Sequence, residues 1–324
     1  MIKTTKKFGI IGCGAVALDH ASVIKKLGHK IILGNTSNKN SKKWKTFRKQ
    51  NPNIKFKEHI NDILNSKKVD YIISCMPVNM HKKYCKKLLT TKKPVLIEKP
   101  LHDDFFQLKK ILSNISHTLL KNKFIGYNRR FYKTVGVLKK RIQKGGVKSV
   151  EITISENYKH ISKKYITNKL KSILNVGSSS HILDLAIYFF GPISILKRWT
   201  YKKKFNSYSF LLSTKKKNIP IFVNINPHDP SSIGFKIRFD DETLWVLSPI
   251  EKLAVYKGYD IVYLNSHKFN KKYLPKVISE TVEEEKFRPG FYHQMNSFIN
   301  QDIKIVSRAN DFLNLIGIIN KLEN

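Results

Sequence analysis

The stretch KFGIIGCGAVALDHASVIKKLG, residues 7–28, decides the fold. Lys7 to Gly12 is a short, mostly apolar run, and from Ala15 onward the apolar residues recur at helical spacing. Between them GCGAVA, Gly12 to Ala17, fits G-x-G-x-x-G/A directly after a strand and before a helix. Gly12 permits the tight turn, Gly14 lets the backbone approach a pyrophosphate, and the small Ala17 lets helix and strand pack closely. The phosphates would rest on the helix N-terminus, at Ala15 and Val16. The spacing therefore predicts a strand, turn and helix that contact a dinucleotide through Gly12, Gly14, Ala15 and Val16.

The same rhythm continues outward. HKIILGNT reads as a second strand and NKNSKKWKTFRKQ as a polar helix; IKFKE, HINDILNSKKV and DYIISCMP read as strand, helix and strand; NMHKKYCKKLLTTKK is a helix leading into PVLIEKP. Alternation of this kind predicts a parallel sheet covered on both faces. From about Ser149 the pattern changes to strand-length segments divided by polar turns, from SVEITISENY to KLAVYKG, with one early amphipathic helix, SSSHILDLAIYFFG, and two closing helices. The expected fold is α/β: an N-terminal doubly wound Rossmann sheet, residues 1–123, and a C-terminal α+β domain, residues 124–324, with a mostly antiparallel open sheet. SETVEEEKFRPG is the one acidic cluster and reads as a solvated connection.

With 324 residues, 41% of them apolar, the chain can bury a sizeable core. No run approaches the roughly 20 apolar residues of a membrane span, and the basic N-terminus is broken by glycines before any cleavage-type ending, so the expected location is cytoplasmic. Cys13, Cys75 and Cys85 have no CxxC spacing and read as small buried hydrophobes, with no metal site. The net charge of +38 raises the question of nucleic acid, but only 8 of the 61 basic residues are arginine and the lysines are spread in pairs along the whole chain. Specific nucleic-acid binding is not expected; attraction to anionic small molecules is.

A dinucleotide site of this kind commonly has a carboxylate about 20 residues on, at the end of the second strand, to hold the ribose 2′-hydroxyl. Here LGNTSNKNSKK offers Ser37, Asn38 and Lys39 and no acid. That composition tolerates a 2′-phosphate and favours NADP slightly over NAD.

VLIEKPL, residues 95–101, ends a buried-looking strand in a charge pair. Together with CMPVNMH, GYNRRFY and GSSSHILDL, in this order, it makes nearly the whole chain resemble the Gfo/Idh/MocA oxidoreductases. What the resemblance implies is an NAD(P)-dependent hydride transfer on a sugar or nucleotide-linked sugar held between the domains, in homodimers or homotetramers packed through the C-terminal sheet. Lys99 matches the family's catalytic lysine, Glu98 the carboxylate on the cofactor side, and Pro100 the proline that fixes the turn. Pro77, Asn79 and His81 match the loop near ribose and nicotinamide, and Arg130 an arginine at the start of the second domain. His181 matches a second catalytic group on the substrate side and Asp184 a carboxylate one turn after it; Tyr158 is a candidate substrate contact. Many polyol-oxidising members have an aspartate four residues before that histidine, where this chain has Gly177. A histidine without that partner is less readily held in one tautomer. The departure favours reduction of a keto-sugar, with a catalytically weak relative, serving as a sensor or assembly partner, as the alternative.

Overall fold

The computed structural model describes residues 4–157, 174, 177–202, 206–227, 229–263, 271–283, 286–302 and 304–323. In chain order the elements are β1 (Lys7–Ile11), α1 (Ala15–Lys26), β2 (Lys30–Asn35), α2 (Lys42–Gln50), β3 (Lys55–Phe56), α3 (Ile60–Leu64), β4 (Tyr71–Ser74), α4 (Val78–Thr90), β5 (Val95–Ile97), α5 (Phe105–Ser113), α6 (His117–Leu120), β6 (Lys123–Ile125), a 3₁₀ turn (Asn128–Phe131), α7 (Lys133–Gln143) and β7 (Val147–Glu156). They continue with α8 (Gly177–Phe190), β8 (Ile193–Tyr201), β9 (Ser207–Thr214), β10 (Pro220–Pro227), β11 (Gly234–Phe239), β12 (Leu244–Leu247), β13 (Lys252–Tyr263), β14 (Lys271–Val282), α9 (Phe291–Ile299), β15 (Ser307–Arg308) and α10 (Ala309–Glu323).

The chain divides into two compact units that are not contiguous in sequence. The first holds the elements up to Phe131 and takes back the C-terminal helices α9 and α10; the second runs from Tyr132 and contains α7, α8 and β7 to β14. The boundary expected at 123/124 cuts the chain once, whereas spatial contact divides it after Phe131 and returns the last helices to the N-terminal unit.

In the first unit seven strands lie in the order β3-β2-β1-β4-β5-β6-β15, parallel as far as β6, with β15 antiparallel at the edge. Helices on both faces explain the composition of the central strands: Val95, Leu96 and Ile97 are all buried, as are Phe8, Ile10 and Ile11. α9 seals one face by placing Phe291, Met295 and Phe298 in one cluster with Ala17, Ala21, Val23 and Ile24 of α1. The expected doubly wound sheet is present, with the carboxyl ends of β1, β2, β4 and β5 at one edge.

The second unit is an eight-stranded sheet, β14-β13-β12-β11-β7-β10-β9-β8, antiparallel except where β10 runs parallel to β7. β7 alternates buried and half-exposed side chains, the signature of a sheet with one covered face. The acidic segment read as a solvated connection is organised differently. Ser279 to Val282 belong to β14, and the Glu283 carboxylate accepts from the backbone N–H groups of Lys133 and Thr134 at 3.1 and 3.2 Å, capping α7. β14 escapes a periodicity reading because nearly all of its side chains are exposed, so no alternation marks it.

Among the described residues no helix is long and apolar enough to cross a membrane. At the end of the first sheet away from the strands' carboxyl edge, Lys123 at the start of β6 is fully buried, donating to the Lys93 carbonyl at 3.0 Å and to Asn122 Oδ1. Burial lowers its pKa to about 8. The folded form therefore resists the proton that the unfolded chain holds up to about pH 10.5, and the contribution of Lys123 to stability rises between those values. In urea unfolding from pH 7.5 to 10.5 the stability difference between the wild type and Lys123→Met should shift by about 3 kcal/mol in favour of the wild type.

Candidate active site

Gly12 follows β1 directly with φ +87°, its N–H donating to the Asn35 carbonyl at the end of β2 at 2.8 Å. A Cβ built on it would stand 2.7 to 2.9 Å from backbone atoms of Cys75 and Met76, just past β4. Three strand ends meet there, and only glycine fits. Gly14 is different: a Cβ would meet nothing within 4 Å. It is the N-cap of α1, whose first turn has no acidic residue and no side-chain cap. An open cradle over an uncapped helix N-terminus is the arrangement that takes an anionic phosphate.

The cradle opens into a cleft of about 730 Å³ in the first unit. Of the residues expected from the sequence, Gly12, Gly14, Ser37 and Pro77 line it. Lys42, Lys43 and Lys87 line it too, with Glu58 the single carboxylate among the lining residues, so the wall is net positive. Ala15 and Val16 open α1 beside the cradle. Asn38 is exposed next to Ser37 and accepts from the Asn40 N–H at 2.7 Å, while Lys39 lines a separate depression with Trp44. The residue that ends β2 is Asn35, buried and donating to the carbonyls of Lys57 and Glu58, which ties β2 to the chain after β3. Cleft, cradle and helix terminus together fit a dinucleotide. Two thiols reach this wall, Cys13 and Cys75; burial pushes Cys13 up to about 12 and, with the Glu98 charge adding to it, holds Cys75 well above the ordinary thiol range. Neither is a thiolate at neutral pH.

Glu98, Lys99 and Pro100 follow β5, which pairs with β4, so the turn stands at the same edge as the cleft wall. The Lys99–Pro100 bond is cis and Lys99 is half-buried. Glu98 Oε1 lies 2.7 Å from Nε2 of His20, a fully buried residue of α1 that the sequence reading did not single out. His81 is also fully buried, its Nδ1 3.1 Å from the Pro100 carbonyl and its Nε2 2.9 Å from Ser74 Oγ. Burial lowers its pKa to about 4, so it is neutral in ordinary buffer. Read from the sequence as a cofactor contact, His81 has both ring nitrogens engaged by protein. Asn79 is exposed on the first turn of α4 and accepts from the Met80 N–H. Arg130 is buried in the 3₁₀ turn, its Nη1 3.4 Å from the Ile305 carbonyl.

The second unit holds His181 and Asp184 on α8, the former half-buried and the latter buried. Gly177 opens that helix with φ +67°, a left-handed conformation that favours glycine over the aspartate of many relatives. The helix start is served from elsewhere: the buried carboxylate of Glu156, at the end of β7, accepts from the Ser179 N–H and, at 2.8 Å, from Ser179 Oγ. Tyr158 lies outside the described residues.

Residues 6–118 match the family model described as "Oxidoreductase family, NAD-binding Rossmann fold", GFO_IDH_MocA. The similarity to the Gfo/Idh/MocA oxidoreductases covers this N-terminal part of the chain. A glucose-6-phosphate 3-dehydrogenase of Bacillus subtilis (strain 168) is 25% identical to this chain over 193 residues, 57% of this chain and 54% of that protein. The match thus spans about half the length of that curated relative. Among solved structures, the super-repressor mutant of Gal80p from Saccharomyces cerevisiae superposes with a TM-score of 0.74 at 14% identity, over 99% of this chain and 95% of that one. A dehydrogenase from Bordetella pertussis, solved with NADH and UDP-GlcNAcA, gives 0.68 at 13% identity over 99% and 96%. At such identities the structures share the fold.

The two glycines of the turn after β1 make opposite predictions. Gly12→Ala should cost more than about 2 kcal/mol in denaturant unfolding, since backbone blocks its Cβ and φ is positive. Gly14→Ala should unfold no more easily than wild type yet bind NADH at least about tenfold more weakly, because its methyl enters the space a phosphate would use.

Proposed function

We propose that the protein is an NAD(P)-dependent oxidoreductase that transfers a hydride between nicotinamide and a sugar or nucleotide-sugar carbonyl, with reduction of a keto-sugar favoured. The observation that carries this is the Glu98-Lys99-Pro100 turn, set at the carboxyl edge of β5 beside the strand whose end walls the dinucleotide cleft. In open α/β sheets ligands bind at that edge. The dehydrogenases named above, one acting on a sugar phosphate and one solved with a nucleotide sugar, support the substrate class.

The cofactor, when bound, supplies or accepts the hydride at the reacting carbon. Gly12, Gly14 and the first amides of α1 would hold its phosphates. Lys99 is assigned the proton: in reduction its ammonium gives a proton to the oxygen as the carbon takes the hydride, and in oxidation the neutral amine takes it back. His181 is assigned the second proton-handling group. Gly177 stands four residues before it, where many polyol-oxidising relatives are expected to carry an aspartate, and this departure supports the reductive direction. NADP(H) is slightly favoured, since Ser37, Lys42 and Lys43 line the cleft and β2 ends in Asn35, already engaged by Lys57 and Glu58. Self-association through the second sheet is part of the same reading. Leu196, Trp199 and Tyr201 on β8, Phe222 on β10 and Tyr259, Ile261 and Tyr273 on β13 and β14 are exposed in the single chain.

The likeness to Gal80p, a structure named for a repressor mutant, keeps a second reading, a binding protein that senses dinucleotide or sugar without turnover. Lys99→Met separates the two. Reduction of 3-keto sugars and keto nucleotide sugars, followed by NADH and NADPH absorbance, should fall at least about a hundredfold in the variant. Cofactor titration by fluorescence should be unchanged, with NADPH the tighter ligand. Turnover that survives the substitution, or NADH clearly tighter than NADPH, contradicts the respective assignment.

A further inference from the structure

We propose that His20 and His81 are positioning residues that grip the two neighbours of Lys99 and so fix the lysine; the role rests on the reading of Lys99 as the proton-handling group. Neither histidine touches solvent, and each spends a ring nitrogen on an adjacent residue of the turn.

On the side before Lys99, a carboxylate only accepts, so His20 Nε2 is the donor to Glu98 Oε1. The other nitrogen of His20 is buried with no hydrogen-bond partner among the described residues, and the ring lies against Phe291 with centroids 4.7 Å apart. The ring's one polar contact is therefore Glu98. His20 stands with Ala17, Ala21 and Ile24 on the buried stripe of α1, where an apolar residue would carry no desolvation cost. Room for the Glu98 carboxylate is left by Gly126, whose Cβ would come within 3.0 Å of it.

On the side after Lys99, the Pro100 carbonyl also only accepts, so His81 Nδ1 carries the proton and Nε2 accepts from the Ser74 hydroxyl. With its pKa near 4, the ring keeps this tautomer across neutral pH. The Ser74 carbonyl in turn accepts the Glu98 N–H at 2.8 Å. The residue before the lysine is thus tied to α1, the helix that begins at the phosphate cradle, and the residue after it to α4. A functional side chain gains its precision from such supporting bonds on rigid elements.

The test reads Lys99 directly and needs no substrate. Full-length protein is pulsed with acetic anhydride, and acetylation of Lys99 is followed by mass spectrometry, with buried Lys123 as the control for global loosening. His20→Leu and His81→Leu should each speed Lys99 acetylation at least about tenfold with Lys123 unchanged, and His20→Gln and His81→Gln, which keep an amide donor, should recover most of the protection. Glu98→Ala breaks the first bond from its half-buried end and should speed Lys99 as well, so the proposal stays testable if a core substitution does not fold. Lys99 reactivity unchanged in folded variants, or Lys123 rising in step with it, overturns the proposal. The reading of Lys99 as proton donor fails on a separate result, turnover that survives Lys99→Met.

Discussion

At Gly12 the backbone of β1 comes within side-chain distance of the chain leaving β4 and donates a hydrogen bond to the last residue of β2. That closeness is the constraint on which the rest of the first unit depends. It brings three strand ends to one edge, fixes where α1 starts, and leaves the helix N-terminus uncapped over open space. A side chain at this point would separate β1 from β4 and dissolve the cleft wall. The electrostatics follow from the geometry, since a helix terminus with its partial positive charge and three lysines line the cleft with one carboxylate among them.

The same edge explains the charge pair after β5. Val95 to Ile97 satisfy the demand of a central parallel strand for apolar side chains on both faces, and the chain turns polar where the sheet ends. Glu98 is not left as an isolated charge near the interior, because His20 meets it from α1. The Pro100 carbonyl is met by His81. Both partners are imidazoles, which bring a hydrogen-bond donor to the turn from a buried position without requiring a full charge there.

Much of this was legible in the sequence because it is local. The glycine turn needs particular residues at fixed offsets, and the Glu-Lys-Pro triplet announces itself by interrupting an apolar run. The supporting partners were not legible, because each lies far along the chain from what it holds: His20 is 78 residues from Glu98, Glu156 is 23 from Ser179 and Glu283 is 150 from Lys133. His20 left one trace, a polar residue in the middle of the apolar stripe of α1. β14 left none, since a strand exposed on nearly every side chain has no period to read. Gly177 stands where many polyol-oxidising relatives are expected to carry an acid; its left-handed backbone favours glycine, and the carboxylate that meets the helix start comes from Glu156 instead.

The phosphate cradle and the lysine turn stand at one carboxyl edge of the first sheet, and the proposed function makes them a single site. Hydrogen–deuterium exchange of the full-length protein, with and without saturating NADH or NADPH, tests it most directly. The account predicts slowed exchange in peptides covering both Gly12–Val16 and Ile97–Leu101. Protection confined to Gly12–Val16, with the lysine turn unaffected, would contradict it.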